Sequence, residues 1–443
     1  MCGITGIYGI PEKAARESSA EGLARMTAHI THRGPDASGL WTSDSEVMLG
    51  HRRLSIIDTH SHSDQPFIHR PTGDVIVFNG EVYNYRELRE ELKSNFSFQT
   101  ESDTEVVIAA LQAWGTAALD RFNGMFAFAF WSNEKRELLL ARDRMGIKPL
   151  YFAETNKGLI FSSEVRSILA SGWVDKRHDS IALADYFRYQ TVHAPRTIVQ
   201  GVSMLQAGHW MRLQGEETEI SAWWDIAAEA SKIDRELPRT DRLKHIRSAM
   251  ENAVDLRMRS DVPLGAFLSG GIDSRAIVGL MKAATEEQIS TFSVTFDEGE
   301  FDESAWSRMV AKRFDTDHHE IRLKSEDFLH QVPDALAAMD HPSGDGPNTY
   351  VVSAAAKKEG ITVALSGLGG DEAFAGYPVF KRSQQLLEKR WLASWPKGLR
   401  KALGAAYVSA KNDATSRKMA AVLGGDYFDL EHTYPLSRQI FLE

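Results

Sequence analysis

The one cysteine of the chain, Cys2, stands directly behind the initiator methionine. Its side chain is small enough for Met1 to be removed during synthesis, which leaves a thiol and a free α-amine on one residue. An amine beside a nucleophile serves as its general base, so this residue alone supplies both halves of an acyl-transfer site. The thiolate is the reactive form, and an adjacent base raises its share at neutral pH. Such a site also needs donors for a tetrahedral oxyanion and groups that hold a substrate. Asn79-Gly80-Glu81 closes the apolar run Val75–Phe78, where a side-chain amide and a backbone N–H can address one oxygen. The same Asn-Gly pair is equally an ordinary turn. Arg53 can clamp a carboxylate in bidentate fashion. Asp103 can hold an ammonium, although Ser102-Asp103-Thr104-Glu105 ahead of an apolar run is also a common helix start.

A second set of residues suits phosphate chemistry. Ser269-Gly270-Gly271-Ile272-Asp273-Ser274 sits between an expected strand and an expected helix. Glycines let the backbone fold around a phosphate, and a helix N-terminus offers free N–H donors and the positive end of its dipole. No Gly-Lys-Ser/Thr follows, so this is not a Walker A loop; the pattern matches the pyrophosphate loop of enzymes that adenylate a substrate with ATP. Asp273 offers the hard oxygen ligands that Mg²⁺ prefers. Leu365-Ser366-Gly367-Leu368-Gly369-Gly370-Asp371-Glu372 lies behind another expected strand, and Asp371 is the candidate for a second Mg²⁺ carboxylate. Ligands of a parallel sheet sit beyond the carboxyl ends of its strands, so the two glycine loops can face one nucleotide. The histidines read differently. His318 and His319 are adjacent on an expected strand and point to opposite faces. His60, His62 and His69 lack a thiolate or carboxylate cluster at zinc spacing.

Two kinds of layering are needed to position these groups. Up to about residue 200 the pattern is short strands and turns with a few helices: Val75–Phe78, Met125–Trp131 and Glu137–Arg142 as buried strands, and Glu105–Trp114 as a helix. Consecutive apolar strands covered by helices predict a layered α+β domain with its sheets buried on both sides. The pattern then changes, with the junction somewhere in 200–235. A charged helix over 239–259 precedes alternating strands (262–268, 289–296, 318–323, 361–365) and helices (274–284, 304–314, 350–358), which predicts an α/β parallel sheet. A length of 443 residues suits two or three domains. A net charge of -10 argues against nucleic acid as a partner. A single cysteine fits a reducing cytoplasm. No apolar run approaches the ~20 residues that span a bilayer, and no secretory signal is evident.

Together these motifs resemble the glutamine-dependent asparagine synthetase family, of the class II (N-terminal nucleophile) amidotransferases. The resemblance runs from Met1 to about Tyr377 and includes His32-Arg33-Gly34-Pro35-Asp36 and the run Ala141–Tyr151. It implies an αββα sandwich of the N-terminal-nucleophile (Ntn) hydrolase type over residues 2–210, followed by an α/β ATP-pyrophosphatase domain over 235–443. Cys2 is implied to attack the side-chain amide of glutamine and free ammonia, with Asn79 and Gly80 as the oxyanion hole and Arg53, Asn79, Gly80, Glu81 and Asp103 as the glutamine-binding set. Ser269, Gly270, Gly271, Asp273 and Ser274, with Leu268, Val294, Ser366 and Gly367, are the implied ATP contacts, and Asp273 and Asp371 the Mg²⁺ ligands. The implied reaction adenylates the β-carboxylate of aspartate and lets ammonia, delivered through an internal tunnel, displace AMP. A cytoplasmic homodimer is the expected setting. Three departures accompany the match. Arg275 stands where the family usually has serine. Leu368 stands where well-studied relatives carry glutamate. The helical stretch from Lys381 does not match the relatives' C-terminal segment, so the synthetase half is expected to be short. The readings kept beside asparagine synthesis are an amidotransferase for another carboxylate, a glutaminase with an incomplete synthetase domain, and a scaffold without chemistry; the intact site residues argue against the last.

Overall fold

The computed structural model describes residues 1–9, 15–43, 46–233, 236–296 and 303–440. Strands run in chain order as β1 (Gly3–Tyr8), β2 (Ala37–Thr42), β3 (Val47–Arg53), β4 (Phe67–His69), β5 (Asp74–Val82), β6 (Gly124–Ser132), β7 (Glu137–Arg142), β8 (Tyr151–Thr155), β9 (Gly158–Ser162), β10 (Ser203–Met204), β11 (His209–Gln214) and β12 (Glu217–Ala222). The second half adds β13 (Leu264–Phe267), β14 (Ser290–Phe296), β15 (Asp317–Leu323) and β16 (Val363–Leu365). The first twelve form two antiparallel sheets, in the orders β10-β8-β9-β1-β3-β2 and β12-β11-β7-β6-β5-β4. The last four form a sheet in the order β15-β14-β13-β16, parallel throughout.

Period-two alternation explains why the antiparallel sheets stack. Along β5, Val75 and Val77 enter the core between the sheets, while Ile76 and Phe78 pack outward against the helices Tyr85–Leu92 and Asp103–Trp114. Along β6, Ala127, Ala129 and Trp131 face inward and Phe126, Phe128 and Phe130 outward. The first sheet is covered on its outer face by the helices Ala15–His29 and Val165–Ala170, through Leu23, Met26 and Ile168. Four layers result, helix–sheet–sheet–helix, which is the expected αββα sandwich.

One local expectation is corrected. Asn79-Gly80 is not a turn: β5 continues through it to Val82, in register with Ala127 and Phe126 of β6. The reason is close packing. A Cβ at Gly80 would overlap Met125 O and Phe126 Cα, and a glycine inside a strand commonly marks such a backbone approach. Helices start a little earlier than the apolar pattern indicates: Asp103 opens the helix expected from Glu105, and Ile272 the one expected from Ser274. Asp103 and Asp273 therefore sit in first turns, where a carboxylate suits the helix dipole.

The two halves touch at defined points. Arg259 donates to Tyr83 O at 2.8 Å and to both carboxylate oxygens of Glu87. Asp58 N donates to Asp261 Oδ2 at 2.8 Å, and Asp261 N returns a bond to Ile56 O at 3.1 Å.

Candidate active sites

Strand register assembles the first site. Ile4 of β1 lies in the core between the sheets, and Cys2, two residues earlier, shares its face. Gly3 pairs with Arg52 of β3, which brings Arg53 alongside Cys2. Asn79 falls on the inward face of β5 with Val75 and Val77. Three side chains from three strands thus reach the same end of the sandwich. Cys2 Sγ lies 3.4 Å from Leu54 N and 3.5 Å from Leu54 O.

The amide of Asn79 is the most telling group. It is fully buried, and among the described residues neither Oδ1 nor Nδ2 has a hydrogen-bond partner. A buried polar group left unsatisfied costs about 1–3 kcal/mol, so its persistence points to a partner that arrives with the substrate. The neighbouring backbone is arranged to match. Phe78 N donates to Gln65 Oε1 at 2.6 Å and Val82 N to Asp103 Oδ2 at 3.0 Å. Alternation puts the Gly80 N–H on that same strand edge, between these two engaged donors.

The charged residues fall into two groups. Arg53 is tied to its own loop: NH1 donates to His60 O at 2.8 Å and Asp64 Oδ1 at 2.6 Å, and NH2 to Ile57 O and Asp58 O. These bonds fix the guanidinium against the loop formed by residues 57–64. Glu81 and Asp103 are buried acids. Burial is the main force pushing Glu81 up to about 7, with the nearby Asp103 charge adding to it, and burial pushes Asp103 up to about 6 against the pull of its backbone hydrogen bonds. Burial likewise raises the Cys2 thiol, so the thiolate needs a base at hand. It also lowers the Met1 amine to about 6, which shows what this environment does to an amine at the chain's start.

A prediction follows from Glu81. Below pH 4.5 its carboxyl is protonated whether the chain is folded or not. As pH rises towards 7, the unfolded chain loses this proton and the folded one keeps it, so stability falls through that window. At about 1.4 kcal/mol per unit, the penalty above pH 7 is on the order of 3 kcal/mol. Glu81→Gln should therefore raise the thermal midpoint by several degrees at pH 8 and leave it unchanged at pH 4.5. Equal shifts at both pH values in thermal denaturation would refute the assignment.

Two residues near Cys2 had no role from the sequence. Arg33 Nε donates to Cys2 O at 2.9 Å and its NH1 to Glu164 Oε1 at 3.1 Å. Lys148 is buried, and its Nζ contacts Met1 Sδ at 3.1 Å. The loop carrying Lys148 is folded around Asp143, which accepts from the N–H groups of Met145, Ile147 and Lys148. The available signal was a lysine embedded in Gly146-Ile147-Lys148-Pro149-Leu150.

The second site lies at the end of the parallel sheet. β13 has β14 on one side and β16 on the other, so the chain leaves β13 at a switch point of the strand order, where open α/β sheets bind ligands. The loops after β13 and β16 meet there. A Cβ on Gly367 would come within 2.6 Å of Ser274 N, and one on Gly370 would overlap the Asp273 carboxylate. A cavity of about 770 Å³ opens between them, lined by Ser269, Gly271, Asp273, Ser366, Gly367 and Asp371 among others. Gly270 N donates to Glu303 Oε2 at 2.6 Å, so the loop already holds an anion with its backbone. Ser274 Oγ accepts from Ser269 N at 3.1 Å and lies 2.9 Å from Ser269 Oγ, closing the loop on itself. Leu268 is buried in the core beneath, and Val294 is half-buried; neither lines the cavity.

The departures have visible settings. Arg275 stacks its guanidinium 5.3 Å from the Trp306 ring centroid and donates to Gly270 O, bracing the loop from behind. Leu368 also lines the cavity and is 90 % exposed. Among the described residues no group of three or more His, Cys, Asp or Glu side chains could hold a metal ion. Asp273 and Asp371 form a two-carboxylate set on one cavity, which fits Mg²⁺, an ion that commonly takes one or two carboxylates together with substrate phosphates. The histidines behave as expected: His318 reaches Thr291 and Ser293, while His319 stacks on Phe292, on the opposite face. No helix among the described residues is long and apolar enough to cross a membrane.

Residues 1–224 match the glutamine amidotransferase domain and residues 245–437 match asparagine synthase. A protein of Methanocaldococcus jannaschii named provisionally as a glutamine-hydrolyzing asparagine synthetase is 35 % identical over 403 residues, covering 85 % of this chain and 76 % of its own length. Glutamine-hydrolyzing asparagine synthetase 1 of Bacillus subtilis is 35 % identical over 407 residues, covering 91 % of this chain and 62 % of its own. Amidase chry2 of Gibberella zeae is 32 % identical over 424 residues, covering 89 % and 62 %. The chain thus spans between 62 % and 76 % of the length of these relatives. With an amidotransferase domain joined to an asparagine synthase domain in one chain, the protein belongs to the glutamine-hydrolysing asparagine synthetase family.

Proposed function

We propose that this chain forms an amide from a carboxylate, using glutamine as the nitrogen donor and ATP as the activator, with aspartate as the acceptor. The observation that carries the reading is the buried, unpartnered amide of Asn79 on the inner face that it shares with Cys2. Once Met1 is removed, the Cys2 α-amine accepts the thiol proton and sulfur attacks the glutamine side-chain carbonyl. Asn79 Nδ2 and the Gly80 N–H receive the oxyanion, at adjoining positions on one strand. Collapse breaks the C–N bond, the amine returns the proton, and ammonia leaves a thioester behind. Water, deprotonated by the same amine, then releases glutamate. Arg53, whose terminal N–H groups are engaged by residues 57–64, supplies positive charge and shapes the loop for the substrate carboxylate, and Asp103 holds its ammonium.

In the second domain the loops at 269–274 and 366–371 hold the phosphates of ATP. Asp273 and Asp371 hold Mg²⁺, which supplies charge neutralisation at the phosphates when bound. Backbone N–H groups at the start of the helix Ile272–Ala284 face the same region. The cytoplasm and a homodimeric assembly complete the reading.

The test is release of pyrophosphate and formation of asparagine from aspartate, with glutamine or ammonia supplied. Asp273→Asn should weaken Mg²⁺-ATP binding about tenfold or more, about 1.4 kcal/mol, because a metal-facing carboxylate loses its charge. Unchanged affinity by calorimetry would remove Asp273 from the site. Leu368 favours a second reading, an acceptor other than aspartate, since a neutral side chain on the cavity wall does no charge or proton work. Assaying a panel of carboxylates for pyrophosphate release separates the two.

A further inference from the structure

A line of alternating charges runs from Cys2 to the other domain. Arg33 holds Cys2 O at 2.9 Å, and Glu164 Oε1 holds Arg33 at 3.1 Å. Arg166 Nε then stands 3.1 Å from Glu164 Oε2 and 3.2 Å from Asp340 Oδ1. Asp340 also accepts from Val165 N at 2.6 Å and Arg166 N at 2.8 Å. Arg166 in turn donates to Ala337 O and Ala338 O, at 3.2 and 2.6 Å, where the helix Ser325–Ala338 ends. The reciprocal bonds lock the start of one short helix to the end of another across the domain boundary. Just beyond Asp340, Asp345, Asn348 and Thr349 form a wall of the ATP-sized cavity.

The Arg166 Nε–H is the pivotal atom. It lies between two carboxylates and bonds to Asp340, which leaves Glu164 Oε2 buried with no hydrogen-bond partner among the described residues. One donor with two acceptors gives two arrangements. If the turn carrying Asp340 shifts, the N–H passes to Glu164, and the grip of Glu164 on Arg33, and of Arg33 on Cys2, changes with it. Coupling between sites needs such an element, whose balance both sites can bias.

We propose that Arg166 and Asp340 are positioning residues that make the reactivity of Cys2 respond to filling of the synthetase cavity. The proposal rests on the two-site reading given above. It calls for no new chemistry, only a shared proton donor that reports the state of one domain to the nucleophile of the other.

Cys2 is the only cysteine, so its alkylation by iodoacetamide reads out this coupling without relying on turnover. In the full chain, Mg²⁺-ATP with aspartate should change the alkylation rate about fivefold or more, the lower end of ordinary allosteric coupling. Asp340→Asn removes the charge and keeps one of the two acceptor oxygens that Val165 N and Arg166 N use, so its thermal midpoint is checked alongside; Arg166→Met removes the shared donor. Each variant should lose the response, and the double variant should behave like either single one. Arg166→Lys, which restores the charge, should recover part of it. A full response in Asp340→Asn and Arg166→Met, or no response in the unmodified chain, overturns the proposal. Glutamine hydrolysis assayed in the same samples keeps the questions apart: its absence defeats the enzymatic reading, while the alkylation rates still decide the coupling.

Discussion

Replacing Cys2 by alanine should lower glutamine hydrolysis on the order of 10⁴-fold or more, the usual scale for loss of a catalytic nucleophile, and should leave ammonia-dependent pyrophosphate release intact. The first effect follows from chemistry: no other thiol exists in the chain. The second follows from architecture. Cys2 is held by the antiparallel sandwich, whereas the glycine loops hang from the parallel sheet. The check is a pair of assays on one preparation, glutamate from glutamine and pyrophosphate from ATP with ammonium salt. Parallel loss of both activities in a folded variant would count against two separable sites. Intact mass belongs in the same experiment, because a retained Met1 in active protein removes the α-amine from the mechanism.

Asn79→Leu should have two effects of opposite value. Turnover of glutamine should fall about 10²–10³-fold, the cost of one oxyanion donor. Thermal stability should rise, because leucine is close in size and removes an amide that lies buried with both polar atoms unmatched. Relief of those unmade bonds is worth about 1–3 kcal/mol. Few substitutions separate folding from function this sharply, since sites held ready for a substrate are often locally unfavourable in its absence. A stability loss with normal turnover in Asn79→Leu would mean that the amide is an ordinary structural group.

Much of this was legible in the residues. The unbroken apolar runs at 75–78 and 125–131 indicated strands buried on both faces, and β/α alternation after residue 260 indicated the parallel sheet. Residue types at Cys2, Asn79, Gly80 and Asp273 suggested the chemistry proposed for them above. What stayed hidden depended on distance in the chain. Asn79-Gly80 read as a turn because local preference carries no knowledge of β6, whose close approach keeps β5 extended. The link from Cys2 O through Arg33 to Glu164 and on to Arg166 drew no attention in the sequence, since a charged residue there looks like a solvated one until folding pairs it. Leu268 read as a nucleotide contact and lies in the core beneath the cavity.

The placement of β1 has a consequence for how the protein comes into being. Chain ends usually fray, but β1 is zipped on both sides, Gly3 to Arg52 of β3 and Thr5 to Ser162 of β9. The second partner is made long after the first residues leave the ribosome. Non-local strand pairings form slowly, and domains fold as units during synthesis. A half-made chain therefore holds Cys2 beside a strand with one edge still open. The strand that leads from Cys2 is complete on both edges only after β9 has been made, and this end of the sandwich takes shape as the two sheets close.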